Sequence, residues 1–132
     1  MKRFLAHVIA VTMLLGVLGA APAQAHERTA STSLTISVNK KTVDEGRKVK
    51  FSGALKSDWK RCRSYRTVKL YRGATEVQSK KTTRAGTYSF TQKITATKTW
   101  KVKFSGKSWG THPHVHRCLA SSSKGIRVRA RS

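Results

Sequence analysis

The sequence predicts an all-β fold, a single antiparallel sandwich of seven short strands, on three observations. From Ser33 onward, apolar residues recur at every second position in short runs bounded by Gly, Ser, Thr and Asn clusters. No run of helical period exists beyond the N-terminal apolar segment. What remains after that segment is roughly one hundred residues, enough for one small domain and one core.

The N-terminus reads as a signal peptide over residues 1–25. Met1, Lys2 and Arg3 form a cationic start, Phe4 to Ala21 an apolar run, and Ala23-Gln24-Ala25 a small-residue cleavage site. The run is too short and wrongly flanked for a stable membrane span. It contains no Cys for lipid attachment and no Arg-Arg pair. Cleavage after Ala25 would leave His26 first, with no transmembrane segment in the mature chain. The expected location is secreted, extracellular or loosely associated with the cell envelope. With no apolar C-terminal tail or sorting signal, any attachment to the envelope is expected to be non-covalent. Residues 26–32 are small and polar and are expected to form a flexible lead-in; the domain is assigned to residues 33–132.

The strand runs follow in order: Leu34-Ile36-Val38, Val49-Phe51, Val68-Leu70, a weaker one around Val77, Tyr88-Phe90, Trp100-Val102-Phe104 and Ile126-Val128-Ala130. Asp44-Glu45-Gly46, Arg72-Gly73-Ala74 and Arg84-Ala85-Gly86-Thr87 interrupt the alternation, each with a Gly able to take positive φ. Two stretches, Lys56 to Arg66 and Gly106 to Lys124, are long for hairpin loops. Each holds one of the two cysteines, Cys62 and Cys118. An oxidising compartment favours a disulfide between them. Closing so long a loop removes unfolded-state entropy worth roughly 4 kcal/mol.

The strings Leu34-Thr-Ile-Ser-Val38, Val43-Asp-Glu-Gly-Arg-Lys-Val-Lys-Phe-Ser-Gly53, Thr67-Val-Lys-Leu-Tyr-Arg72, Ala85-Gly-Thr-Tyr-Ser-Phe90 and Trp100-Lys-Val-Lys-Phe-Ser-Gly106 carry a resemblance. Together they resemble bacterial immunoglobulin-like domains of secreted actinobacterial proteins, over nearly all of residues 33–131. The resemblance implies a seven-stranded immunoglobulin-like sandwich with strands C, F and G on one sheet and A, B and E on the other. It says little of function, because such modules serve as spacers, adhesins and binding accessories. The chain departs from antibody domains in having no Trp on its third strand and its cysteines in loops. Thr82-Thr83-Arg84-Ala85-Gly86 also lacks the Asp that related modules commonly place in that turn, which removes a possible calcium ligand.

Charge is the strongest functional signal. Lys and Arg number 28 against 5 Asp and Glu, a formal charge of +23. Such a balance attracts polyanions and repels itself. If the apolar residues of strands C, F and G face inward, then Lys69, Tyr71, Lys101, Lys103, Arg127 and Arg129 face outward together as a basic plate. The other sheet would show Thr35, Ser37, Lys48, Lys50, Ser52, Ser89, Thr91 and Lys93, a milder face. Like charges side by side cost stability in a sheet, so the plate points to an anionic cell-wall polymer or an acidic protein as partner. Export and the lack of a recognised module make nucleic acid the weaker physiological target. Two other readings are open: lysines and arginines that merely blunt sheet surfaces against aggregation in a structural or protein-protein module, and a cationic effector of membranes or of a partner protein.

The five acids are scattered over turns and tail, and no nucleophile elbow or phosphate loop is present, so no catalytic residues and no cofactor are expected. His112, His114 and His116 are weak metal candidates: in an extended segment alternate residues point to one side and would converge with Cys118. Trp59 and Trp109, one in each long loop, either cover the disulfide or offer rings to a ligand.

Overall fold

The computed structural model describes residues 27–132, and the signal-peptide reading of residues 1–25 lies outside them, as does His26. The described residues form thirteen short strands in three sheets and one 3-10 turn at Lys60–Cys62. In chain order the strands are β1 (Arg28–Ala30), β2 (Ser33–Leu34), β3 (Ser37–Val38), β4 (Thr42–Asp44), β5 (Lys48–Lys56), β6 (Thr67–Arg72) and β7 (Thr75–Lys81). There follow β8 (Thr87–Lys93), β9 (Lys98–Phe104), β10 (Lys107–Trp109), β11 (His116–Cys118), β12 (Ser121–Ser122) and β13 (Ile126–Arg131). One sheet has the order β4-β13-β9-β6-β7, with β12 also on β9; a second joins β2, β3 and β8 to β5; a small third is β1-β11-β10.

Six of the seven apolar runs each lie on one strand, and the first spans two, with Ile36 between them. The count of seven strands is nevertheless corrected to thirteen: the first run divides into β2 and β3, and β1, β4, β10, β11 and β12 are additional. None of these five carries the alternation that makes a strand readable. In β4, Val43 is the one apolar residue, buried where β4 joins β13 in parallel register at Arg129↔Thr42 and Ala130↔Val43. Between Val38 and Thr42 the chain thus crosses from the second sheet to the first.

The alternation of β9 is strict: Trp100, Val102 and Phe104 are buried while Lys101 and Lys103 are exposed. Val68 and Leu70 on β6, and Ile126 and Val128 on β13, are buried likewise. From the second sheet come Leu34, Val49, Phe51, Leu55, Tyr88 and Phe90, and the two sets form one continuous core. The Trp100 and Phe51 rings meet across it at 5.0 Å. In the hairpin of β6 and β7 the pairing steps from Leu70↔Gln78 to Tyr71↔Glu76 and skips Val77, a bulge that explains why this run reads weakly.

Tyr88 fastens the two halves of the first run. Its hydroxyl donates to the Thr35 carbonyl, and burial holds the phenol well above its ordinary pKa. The contact needs a glycine opposite, because a Cβ on Gly53 would collide with both the Thr35 carbonyl oxygen and the Tyr88 hydroxyl.

The disulfide joins Cys62 at the end of the 3-10 turn to Cys118, across 56 residues of sequence. Two sequence expectations are corrected around it. Arg28–Ala30, read as part of the flexible lead-in, is β1 and pairs in parallel with β11 at Arg28↔His116 through Ala30↔Cys118. The stretch Gly106 to Lys124, read as a loop, contains β10 and β11 in antiparallel register, and so Cys118 lies on a strand. These pieces are three residues long, too short to stand in water alone. The bridge and a stack of tryptophans hold them.

Candidate polyanion-binding face

The outward residues of β6, β9 and β13 are set by the strand register. Lys69 lies opposite Lys103 and Tyr71 opposite Lys101. Directly opposed residues on one face have Cβ atoms about 5 Å apart, so these four side chains form one cluster. Arg127 lies opposite Thr99, one step along the same face from Lys101. Arg129 is at the far side of the sheet, opposite Thr42 of β4. The lysine and arginine heads of β9 and β13 are exposed, while Lys69 and Tyr71 are half-buried.

Lys103 Nζ stands 4.6 Å from the centre of the Tyr71 ring, a cation-π contact that fixes the ring among the cations. Two acids border the face. Glu76 on β7 is 3.7 Å from Lys69 Nζ, and Asp44 on β4 is 3.2 Å from Arg131 Nε. The Arg131–Asp44 pair is exposed and the Lys69–Glu76 pair is partly open to solvent, and both contribute little to stability. Each neutralises a cation at its edge of the sheet. Between those edges Lys101 and Lys103 face no acid, and Arg127 and Arg129 have none opposite them.

On the second sheet, Lys48 is directly opposite Lys93 and Lys50 opposite Thr91, while Ser52 faces Ser89 and Ser37. Its basic residues lie at both ends, Lys48, Lys50 and Lys93 at one and Lys56, opposite Ser33, at the other, with hydroxyls between them.

Beyond β9 the plate continues into residues that the alternation did not single out. A depression of about 340 Å³ is lined by Tyr65, Arg66, Lys69, Lys81, Phe104 and Lys107, among others. Lys81 extends the face, since it pairs with Thr67 at the end of β6. Tyr65 is 61% exposed and has φ 54°, the one non-glycine residue with positive φ among those described. Residue type gives no sign of that conformation. The buried Thr82 holds the segment on both sides of Tyr65: its hydroxyl donates to the Arg63 carbonyl and accepts from the Arg66 N–H.

Trp59 and Trp109 stack on each other at 5.2 Å and pack against the core. Arg28 caps Trp59 at 4.4 Å and Arg66 caps Trp109 at 4.9 Å. Both rings are spent on this column, and it covers the third sheet at the disulfide.

The histidine reading is corrected. Among the described residues no group of three or more His, Cys, Asp or Glu is arranged to hold a metal ion. The segment is not extended, because it turns at the hydrogen bond from His114 N–H to the Thr111 carbonyl. His112 lies 3.9 Å from Glu27, His116 packs on the Trp59 and Trp109 rings, and Cys118 is in the disulfide.

No helix among the described residues is long and apolar enough to cross a membrane. No protein-family model and no curated protein matches the chain. Among solved structures the chain is similar to the sulfur carrier protein SoxY from Chlorobium limicola f thiosulfatophilum, at 14% identity and a TM-score of 0.41, over 74% of this chain and 82% of that one.

Proposed function

We propose that this chain is a secreted, non-catalytic module with an immunoglobulin-like sandwich, and that it binds anionic polymers of the cell envelope through the basic face of β6, β9 and β13. The immunoglobulin-like reading takes β2 with β3 as strand A, then β5 and β8 as B and E, against β6, β9 and β13 as C, F and G. It is supported by the way these two groups divide between sheets around one core. Export is supported by the signal-peptide pattern of residues 1–25 together with the formed disulfide.

The observation that carries the functional reading is the register Lys69↔Lys103 and Tyr71↔Lys101, with Arg127 alongside. Such a cluster opposes folding unless a counter-ionic partner covers it. The test compares two triple charge reversals in binding to purified anionic wall polymer across a salt series. Lys69→Glu with Lys101→Glu and Arg127→Glu is expected to abolish retention. The same reversal at Lys48, Lys50 and Lys93 should weaken it much less. Attraction by total charge alone, screened over about 10 Å at 0.1 M salt, would respond equally to both. Identical curves from two folded variants would therefore overturn the assignment.

A further inference from the structure

The geometry points to the depression beside Tyr65 as a subsite for a sugar-phosphate unit, so that the polymer bound by this face is a phosphodiester-linked saccharide. The inference rests on the polyanion reading of the same face and names its ligand class.

Four cations approach the depression: Arg66, Lys69, Lys81 and Lys107. None of its lining residues is an acid. Lys69 is partly committed to Glu76, but among the described residues Lys81 and Lys107 have no ion-pair partner. Arg66 is held in place twice, by Nε donating to the Arg61 carbonyl at 2.6 Å and by stacking on Trp109. A fixed guanidinium with spare N–H donors beside two free ammonium groups suits a phosphate, which lysine binds as a point charge. The rim here is mostly lysine, so it holds the phosphate by charge, with Arg66 supplying the one fork.

The second component is Tyr65. Its ring is exposed beside the cations, on a backbone held in the left-handed region by the hydrogen bonds of Thr82. Backbone held in a disfavoured region by its surroundings clusters at binding sites. An exposed phenol offers an apolar face and a polar tip, and the C–H face of a sugar ring fits against it while its phosphate meets the rim. Binding of a single nucleic-acid strand needs successive aromatic platforms. Here the exposed large hydrophobics among the described residues are Tyr65 and Leu119 alone, and Trp59 and Trp109 are stacked on each other.

The test uses the disulfide-bonded protein and three probes: a phosphodiester-linked hexose polymer, inorganic polyphosphate of equal phosphate content, and an oligothymidylate. The variant is Tyr65→Asn, because Asn tolerates positive φ and keeps the turn. Wild type is expected to bind the hexose polymer about tenfold tighter than polyphosphate, within the worth of one aromatic contact. Tyr65→Asn should bring that ratio to about one without changing the salt slope, since no charge is lost. Lys81→Gln with Lys107→Gln should lower the log-log salt slope by about 1.5. A ratio unchanged in Tyr65→Asn, or oligothymidylate bound as tightly as the hexose polymer, would overturn the subsite. If that happens while the Lys69, Lys101 and Arg127 reversal still abolishes retention, the subsite fails and the face stands. If the reversal leaves both polymers bound, the face fails and the subsite with it, because Lys69 belongs to both. Failure of wild type to bind either polymer overturns both.

Discussion

Tyr88 shows how one side chain can set a local design and a pH dependence together. Its hydroxyl satisfies the Thr35 carbonyl between β2 and β3, and only Gly53 leaves room for it. Tyr88→Phe removes the donor and is expected to cost about 1 kcal/mol. Burial raises the folded-state pKa above the value of about 10 for an unfolded tyrosine. A group whose proton is held more tightly in the fold stabilises fully below the unfolded pKa, and that contribution is lost as pH rises through the folded one. Urea denaturation should therefore show stability falling faster above about pH 10 in wild type than in Tyr88→Phe; lysines titrate there in both, so the comparison cancels them. Trp100 is the other decisive residue. It is 1% exposed against Phe51, so Trp100→Ala should cost about 3 to 5 kcal/mol, while Lys101→Ala next to it should stay within about 0.5 kcal/mol. Since the buried indole N–H has no hydrogen-bond partner, Trp100→Phe should be much milder than Trp100→Ala.

At the scale of elements, the third sheet depends on something other than its own hydrogen bonds. β1, β10 and β11 have three residues each and are tied to the sandwich by the Cys62–Cys118 bridge and by the Trp59 and Trp109 stack. Replacing both cysteines with serine should lower stability by roughly 2 to 4 kcal/mol. Hydrogen exchange should then rise first at Arg28–Ala30 and His116–Cys118, with β6 and β9 still protected; uniform loss across all strands would show that the third sheet is no separate unit. The same division explains what could be read from sequence. Strands with two or three inward apolar residues, such as β6 and β9, announce themselves by alternation, and with them the outward positions of Lys69, Lys101 and Lys103. β4 offers one apolar residue, and β10 and β11 draw their order from residues far away in sequence, so periodicity is silent. The depression at Tyr65 was hidden for a related reason: it gathers residues from the end of a turn, the last position of β7 and the first of β10. Spacing within any one segment does not register such a gathering. Alternation is no guide to the histidines either, because it holds only for an extended chain and the backbone turns at His114.

For the whole molecule, the formal charge of +23 makes self-repulsion a global term that no single ion pair offsets. The ion pairs among the described residues are exposed or partly open to solvent, and two of them sit at the edges of the basic face. Salt should therefore act in opposite directions on folding and on binding. Screening of like charges on the lone protein is expected to raise the urea midpoint as sodium chloride goes from about 10 mM, where the Debye length is about 30 Å, to 0.15 M, where it is about 8 Å. Over the same range retention on an anionic polymer should fall, because counterions compete for the face. A polyanion at saturating concentration in low salt should then raise the thermal midpoint further than added salt alone, since it binds the folded arrangement of β6, β9 and β13 and not the scattered unfolded charges. If salt lowers the urea midpoint, the cations are already balanced within the fold. The basic face would then be a solvated surface, and polyanion-dependent stabilisation should be absent in the same titration.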